Sequence, residues 1–116
     1  MNKYRLAVLA AFLFVITGAA HAQAIRISEA DAKKAVVSRI DPEYPPMAKQ
    51  LKLSGRVQLD VYIDEDGRVE KTEGVAGNPM LTNAAASAVK KWKFTPVMSN
   101  GKPAKAIAGF AFDFKL

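Results

Sequence analysis

Between Val57 and Ile63 every second residue is aliphatic: Val57, Leu59, Val61 and Ile63 alternate with Gln58, Asp60 and Tyr62. A strand turns successive side chains to opposite faces, so this stretch predicts a strand from Arg56 with one face on a core. Asp64-Glu65-Asp66-Gly67 follows with the Asp-Gly hairpin signal and sends the chain back from Val69 through Thr72 toward Val75. Alternation on the return is poor and Gly74 interrupts it, which predicts a twisted or bulged strand. The period of two reappears at the end of the chain. There Phe110, Phe112, Phe114 and Leu116 share one face of a strand that starts near Ala104, opposite Gly109, Ala111, Asp113 and Lys115.

Elsewhere the period is helical. Leu81, Ala85, Ala88, Val89 and Trp92 recur at helical spacing after Gly77-Asn78-Pro79, with Asn78 or Thr82 as cap and Pro96 as stop. Lys90, Lys91 and Lys93 crowd its C-terminal end, where the helix dipole favours cations. Earlier, Pro45 or Pro46 opens a helix through Met47, Ala48, Leu51 and Leu53 that Gly55 ends, and the prolines at 42 and 45 hold Asp41 to Tyr44 extended. Ser28 is placed to cap a short helix through Ala32, Ala35 and Val36, with Asp31 in its first turn. Val36 to Ile40 reads equally as a short strand, so residues 23–40 form an N-terminal extension of short helix or strand. The core domain is expected over 41–116.

Helix, strand, strand, helix, strand is an α+β order. A right-handed crossover through the Trp92 helix brings the last strand beside the first strand of the hairpin. The expected fold is a three-stranded antiparallel sheet in the order 2-1-3, with two helices on the Phe face and Trp92 in the core. The last strand is then an edge with unpaired outer backbone groups.

The N-terminus changes where this domain is expected to work. Lys3 and Arg5 precede an unbroken apolar run of eleven residues, Leu6 to Ile16, and small residues lead to Ala20-His21-Ala22 before Gln23. That is the layout of a cleavable signal peptide over residues 1–22, and the run is shorter than the roughly 18 to 20 residues a membrane span needs. The expected location is periplasmic, with an inner-membrane anchor as the alternative if the segment is retained. No cysteine exists to carry a lipid or a disulfide. Cleavage lowers the formal net charge of +6 by two, and the remaining Lys and Asp/Glu are interspersed, the mark of a solvated surface; no nucleic-acid partner is expected.

Candidate chemistry narrows the function further. The single histidine, His21, lies in the segment expected to be removed, which leaves neither His nor Cys for a nucleophilic triad or a common zinc site. Asp64, Glu65 and Asp66 with Gly67 resemble the start of a calcium loop, but predicted strands flank them and the further oxygen ligands are missing. Ser54, Ser87 and Ser99 have no base beside them in sequence. No catalytic residue, metal or small-molecule cofactor is expected, and the chain does not read as an enzyme.

An exposed strand edge is an aggregation hazard unless it is covered, charged or used. Lys102, Pro103 and Lys105 blunt the start of the last strand, leaving Ile107 to Asp113 as the stretch an extended peptide joins by β-augmentation. The alternatives are pairing with a twin in a homodimer, or cover from Val36 to Ile40.

Several short motifs in fixed order carry a resemblance: Pro42-Glu43-Tyr44-Pro45-Pro46-Met47-Ala48, Gly55-Arg56-Val57, Asp66-Gly67-Arg68-Val69, Gly77-Asn78-Pro79-Met80-Leu81, Trp92-Lys93-Phe94, Asn100-Gly101-Lys102-Pro103 and the closing Phe114-Lys115-Leu116. From about Ile40 to Leu116 the chain resembles the C-terminal domain of TonB-family proteins. The resemblance implies an αββαβ domain whose last strand receives an extended segment of an outer-membrane receptor, helped by residues around the Tyr-Pro motif. By position it implies partner contacts at Asp41, Pro42, Glu43 and Tyr44, and at Ile107, Gly109, Ala111 and Asp113. Family proteins that transduce energy keep a membrane anchor and a long spacer. Here only about twenty residues precede the domain after the cleavage site, and at about 3.3 Å per residue they do not cross a periplasm. The expectation is a stand-alone module that binds an extended peptide of an outer-membrane or periplasmic protein.

Overall fold

The computed structural model describes residues 24–116, so the reading of residues 1–22 as a signal peptide lies outside the described residues. Its elements in chain order are β1 (Ile25–Ile27), α1 (Glu29–Ala35), β2 (Val36–Ser38), α2 (Pro46–Gln50), β3 (Gly55–Ile63), β4 (Val69–Ala76), α3 (Pro79–Val89), β5 (Lys93–Phe94), β6 (Val97–Ser99), β7 (Lys102–Ala104) and β8 (Ala106–Phe114). The alternating aliphatics of β3 are all buried, and β3 pairs antiparallel with β8 from Gly55↔Phe114 to Ile63↔Ala106 without a break. On its other side β3 pairs antiparallel with β4, and that register slips twice, once next to Gly74 and Val75. Glycine suits that position because a Cβ would stand 2.7 Å from Thr82 Cγ2 of α3, and the threonine would have to shift to admit it. Little of β4 is buried, which is why its alternation is weak.

The expected three-stranded sheet with two helices is incorrect. The principal sheet has four strands in the order β1-β8-β3-β4 and is mixed, since β1 lies parallel to β8 with Ile25↔Ala106, Arg26↔Ile107 and Ile27↔Ala108 in register. There are three helices among the described residues. The predicted order 2-1-3 corresponds to β4-β3-β8; what it lacks is the strand contributed by the N-terminal extension. A three-residue strand spans one and a half alternations, too few for a period to register. Two two-stranded ribbons, β2-β5 and β6-β7, complete the sheet structure, so the cover expected from Val36 to Ile40 goes to Lys93–Phe94 instead of the edge. What precedes Ala106 is the separate β6-β7 hairpin, turned at Asn100 and Gly101, both with positive φ, rather than more of the last strand.

The extension holds a short helix and then a short strand. Ser28 caps α1, its Oγ accepting from the Asp31 amide at 3.0 Å, and β2 follows without a gap. Asn78 caps α3 by accepting from the Met80 amide at 2.8 Å. α3 ends at Val89, so Trp92 is not helical: the amides of Lys91 and Trp92 bond back three residues to Ala88 and Val89, and this tighter turn swings the indole into the core. There Trp92 sits edge-on to Phe110 and Phe112, at 5.3 and 5.9 Å between ring centres, beside Phe94. Ala32 of α1, Ala48 of α2 and Leu81, Ala85 and Val89 of α3 join the same core.

Asp64 spends its carboxylate on the hairpin turn, Oδ1 accepting from the amides of Asp66 and Arg68 at 2.9 Å each. Gly67, at φ +85°, closes the turn against the Phe94 carbonyl.

Candidate protein-binding edge

β8 is hydrogen-bonded to β3 on one side along its full length. On the other, the Ile25 amide donates to the Lys105 carbonyl at 2.8 Å and the Ala111 amide donates to Glu29 Oε2 at 3.4 Å. Backbone groups alternate sides along a strand, so these two bonds place the outward-facing N–H and C=O groups of the edge on the odd-numbered residues from Lys105 to Asp113. The four positions singled out on the last strand, Ile107, Gly109, Ala111 and Asp113, are therefore those whose backbone faces away from β3. Their surroundings differ. Ile107 is paired with Arg26 of β1. Gly109 lies in a shallow depression of about 210 Å³ with Glu29, Asp60 and Val75. Ala111 and Asp113 lie beyond the end of β1.

Asp41, Pro42 and Tyr44 meet Ala111 and Asp113 in one open cleft of about 450 Å³, walled also by Arg39, Phe112 and Phe114. Five of the eight residues expected to touch a partner are thus neighbours around the uncovered end of β8. Glu43 is not among them and lines a separate cleft of about 410 Å³ against Ala84, Ser87 and Lys91 of the α3 side. Asp41 borders both clefts.

The segment 41–44 is held from within. Tyr44 packs edge-on against Phe114, 5.4 Å between ring centres, and its hydroxyl donates to the Leu53 carbonyl. Trp92 Nε1 donates to the Ile40 carbonyl at 2.7 Å, immediately before Asp41. Around the cleft the charges are exposed and locally paired: Arg39 with Asp41 at 3.2 Å, and Arg56 with Asp113 at 4.0 Å. On the helix-free face of the sheet Tyr62 donates to Glu73 at 2.9 Å, and this bond to a carboxylate holds the phenol above its ordinary pKa.

Sequence reasoning missed Arg26 and Glu29. Arg26 pairs with Asp60 at 3.2 Å, and Glu29 caps the Ala111 amide. The only available signal was Ile25-Arg26-Ile27 directly ahead of a capping serine.

Comparison with known proteins places the fold in a family. The family described as the Gram-negative bacterial TonB protein C-terminal matches residues 40–116. The chain belongs to this family. Protein TonB of Vibrio cholerae is 31% identical over 87 residues, covering 72% of this chain and 36% of that protein. Protein TonB of Pseudomonas aeruginosa is 35% identical over 81 residues, covering 67% of this chain and 24% of that protein. The chain thus spans about a quarter to a third of the length of these curated relatives. The solution NMR structure of the Pseudomonas aeruginosa TonB C-terminal domain superposes with a TM-score of 0.61 at 29% identity, over 84% of this chain and 96% of that one. The TonB2 protein of Vibrio anguillarum superposes with a TM-score of 0.52 at 26% identity, over 97% and 98%.

TonB C-terminal domains are periplasmic, transport-related protein-binding modules, and that membership makes this domain non-catalytic. Among the described residues no group of three or more His, Cys, Asp and Glu is placed to hold a metal ion, and no helix is long and apolar enough to cross a membrane.

Proposed function

We propose that this protein is a periplasmic TonB-type module that captures an extended segment of an envelope protein on the outer edge of β8, with the segment 41–44 as the second wall. The observation that carries the reading is the meeting of Asp41, Pro42 and Tyr44 with Ala111 and Asp113 in one open cleft at the uncovered end of the strand. A peptide laid there finds the outward carbonyl of Ala111 and the outward amide and carbonyl of Asp113, the rings of Phe112 and Tyr44, and an acid on each wall. Two or three backbone bonds at about 1 kcal/mol each, less the ordering cost of the peptide, give weak capture, about 10 mM or weaker. A tighter complex requires more of β8 than its free end.

Titration of the isotope-labelled protein with outer-membrane-receptor-type peptides tests this. Amide shifts concentrated at Ala111 to Asp113 and at Asp41 to Tyr44 are expected; no shift with any such peptide removes the reading. The same reading takes residues 1–22 as a cleaved signal. Intact-mass measurement of the cell-envelope fraction is then expected to find a chain starting at Gln23, and a retained N-terminus would favour the anchored, energy-transducing alternative instead. Edge-to-edge homodimerisation has little to use, since β1 and Glu29 already occupy most of the outward groups of β8.

A further inference from the structure

The outer edge of β8 is already answered by the chain itself. In the parallel register of β1, the carbonyl of residue 25 faces the Ile107 amide, that of residue 27 faces the Gly109 amide, and that of residue 29 would face the Ala111 amide. Glu29 cannot offer its carbonyl, because it has entered α1 and helical bonding claims that oxygen. Its side chain does the work instead: Oε2 accepts from the Ala111 amide at 3.4 Å. The carboxylate stands in for the next rung of a strand that the helix has cut short.

The side chains of β1 fit what lies beneath them. Ile25 and Ile27 are half-buried on the core face, next to Ala106 and Ala108, two fully buried small residues that leave room for branched neighbours. Arg26 points to the helix-free face and pairs with Asp60 at 3.2 Å, beside Gly109, which has no side chain to obstruct it. Little anchors this arrangement. The strand is three residues long, its ion pair is exposed on the arginine side, and the Glu29 bond is at the long limit.

We propose that residues 25–29 are an exchangeable internal ligand of the β8 edge, displaced when an extended segment of a partner is admitted there. It repeats β1's pattern: apolar residues beside Ala106 and Ala108 with a basic residue between them facing Asp60. This rests on the reading of the edge as a peptide site and adds the displacement of β1 and the side-chain pattern of the peptide. A partner strand gains what β1 lacks, since its backbone continues along Ala111 and Asp113 instead of turning into a helix. Occupancy by β1 also protects the edge from self-association while no partner is present.

The test uses the full chain and a synthetic peptide of its own residues 24–29, so it does not depend on any envelope protein. Ile27→Pro removes a ladder amide and is expected to speed hydrogen exchange at Ile107 and Gly109 at least tenfold, with Leu59 and Val61 unchanged. Added at millimolar concentration, the peptide then shifts Ile107, Gly109 and Ala111 and restores their protection; a peptide with Glu in place of the arginine binds at least fivefold more weakly. The chain has no cysteine, so Arg26→Cys with Ile107→Cys gives a single reversible lock. Oxidised, it is expected to refuse the peptide, and reduced, to accept it. Loss of protection throughout the sheet on Ile27→Pro would make β1 an integral strand and overturn the proposal, as would equal binding to locked and unlocked protein. Glu29→Ala, which leaves the strand intact, is expected to speed exchange at Ala111 severalfold, and no change there would remove the role given to the carboxylate. Binding of the internal peptide without binding of any receptor-type peptide would sink the proposed function and leave this inference standing.

Discussion

Tyr44 shows why a binding motif and a packing motif are hard to separate in a small domain. Its ring leans on Phe114 and its hydroxyl donates to the Leu53 carbonyl, so the side chain ties the extended segment both to β8 and to the turn after α2. Tyr44→Phe keeps the ring and deletes the donor; the expected cost is about 1 kcal/mol, a fall of about 4–8 °C in Tm for a domain of this size. Thermal unfolding followed by circular dichroism reads it, and an unchanged Tm would mean that the hydroxyl bond contributes nothing. Gly67 and Gly101 provide a matched pair. Both have positive φ, but a Cβ on Gly67 would stand 1.9 Å from the Phe94 carbonyl oxygen, while Gly101 has nothing within 4 Å. Gly101→Ala is expected to cost about 1–2 kcal/mol for backbone strain alone, and Gly67→Ala about 2–4 kcal/mol because the clash adds to it. Urea unfolding of the two variants separates strain from clash. The tyrosine was legible as a candidate contact and Gly67 as a turn residue. Which carbonyl each meets depends on contacts far along the chain.

The elements divide by how each is stabilised. β3, β8 and α3 carry their own patterns, alternating aliphatics, alternating phenylalanines and an apolar helical face, and each was legible from sequence because burial of one face is what selects those residues. β1, β5, β6 and β7 are two or three residues long and owe their existence to the strand beside them; no local pattern marks them. The bulge near Gly74 was legible because glycine interrupts an otherwise regular strand. The end of α3 was not, because Trp92 keeps helical spacing while leaving the helix, its position being set by the aromatic cluster. Local capping is the other part that reads directly. Asn78 accepts from the Met80 amide, so Asn78→Ala is expected to lose about 1 kcal/mol, with Asn78→Asp or Asn78→Ser recovering most of it. Chemical denaturation of the three variants checks the order; equal stability of alanine and serine at this position would assign no energy to the cap.

Core and binding edge meet at one side chain. Trp92 is the only tryptophan in the chain, is almost fully buried, and contacts Phe94, Phe110 and Phe112 while its indole N–H holds the Ile40 carbonyl. The residues that wall the open cleft follow directly on both sides of that contact: Asp41 and Pro42 after Ile40, and Phe112 beside the ring. Trp92→Phe therefore separates two roles. An aromatic ring remains in the core, so the loss of stability is expected on the order of 2 kcal/mol, below the roughly 3–5 kcal/mol for removing a large aromatic altogether. The Ile40 carbonyl, however, loses its only described side-chain donor, and the segment 41–44 is released from the core at one end. Hydrogen exchange and amide relaxation are expected to show the variant folded, with β3 amides still protected, while Asp41 and Glu43 become mobile. Peptide affinity at the edge should fall severalfold although no cleft residue has changed. If stability drops and the segment stays ordered with affinity intact, the indole serves packing alone, and Tyr44 by itself positions the wall.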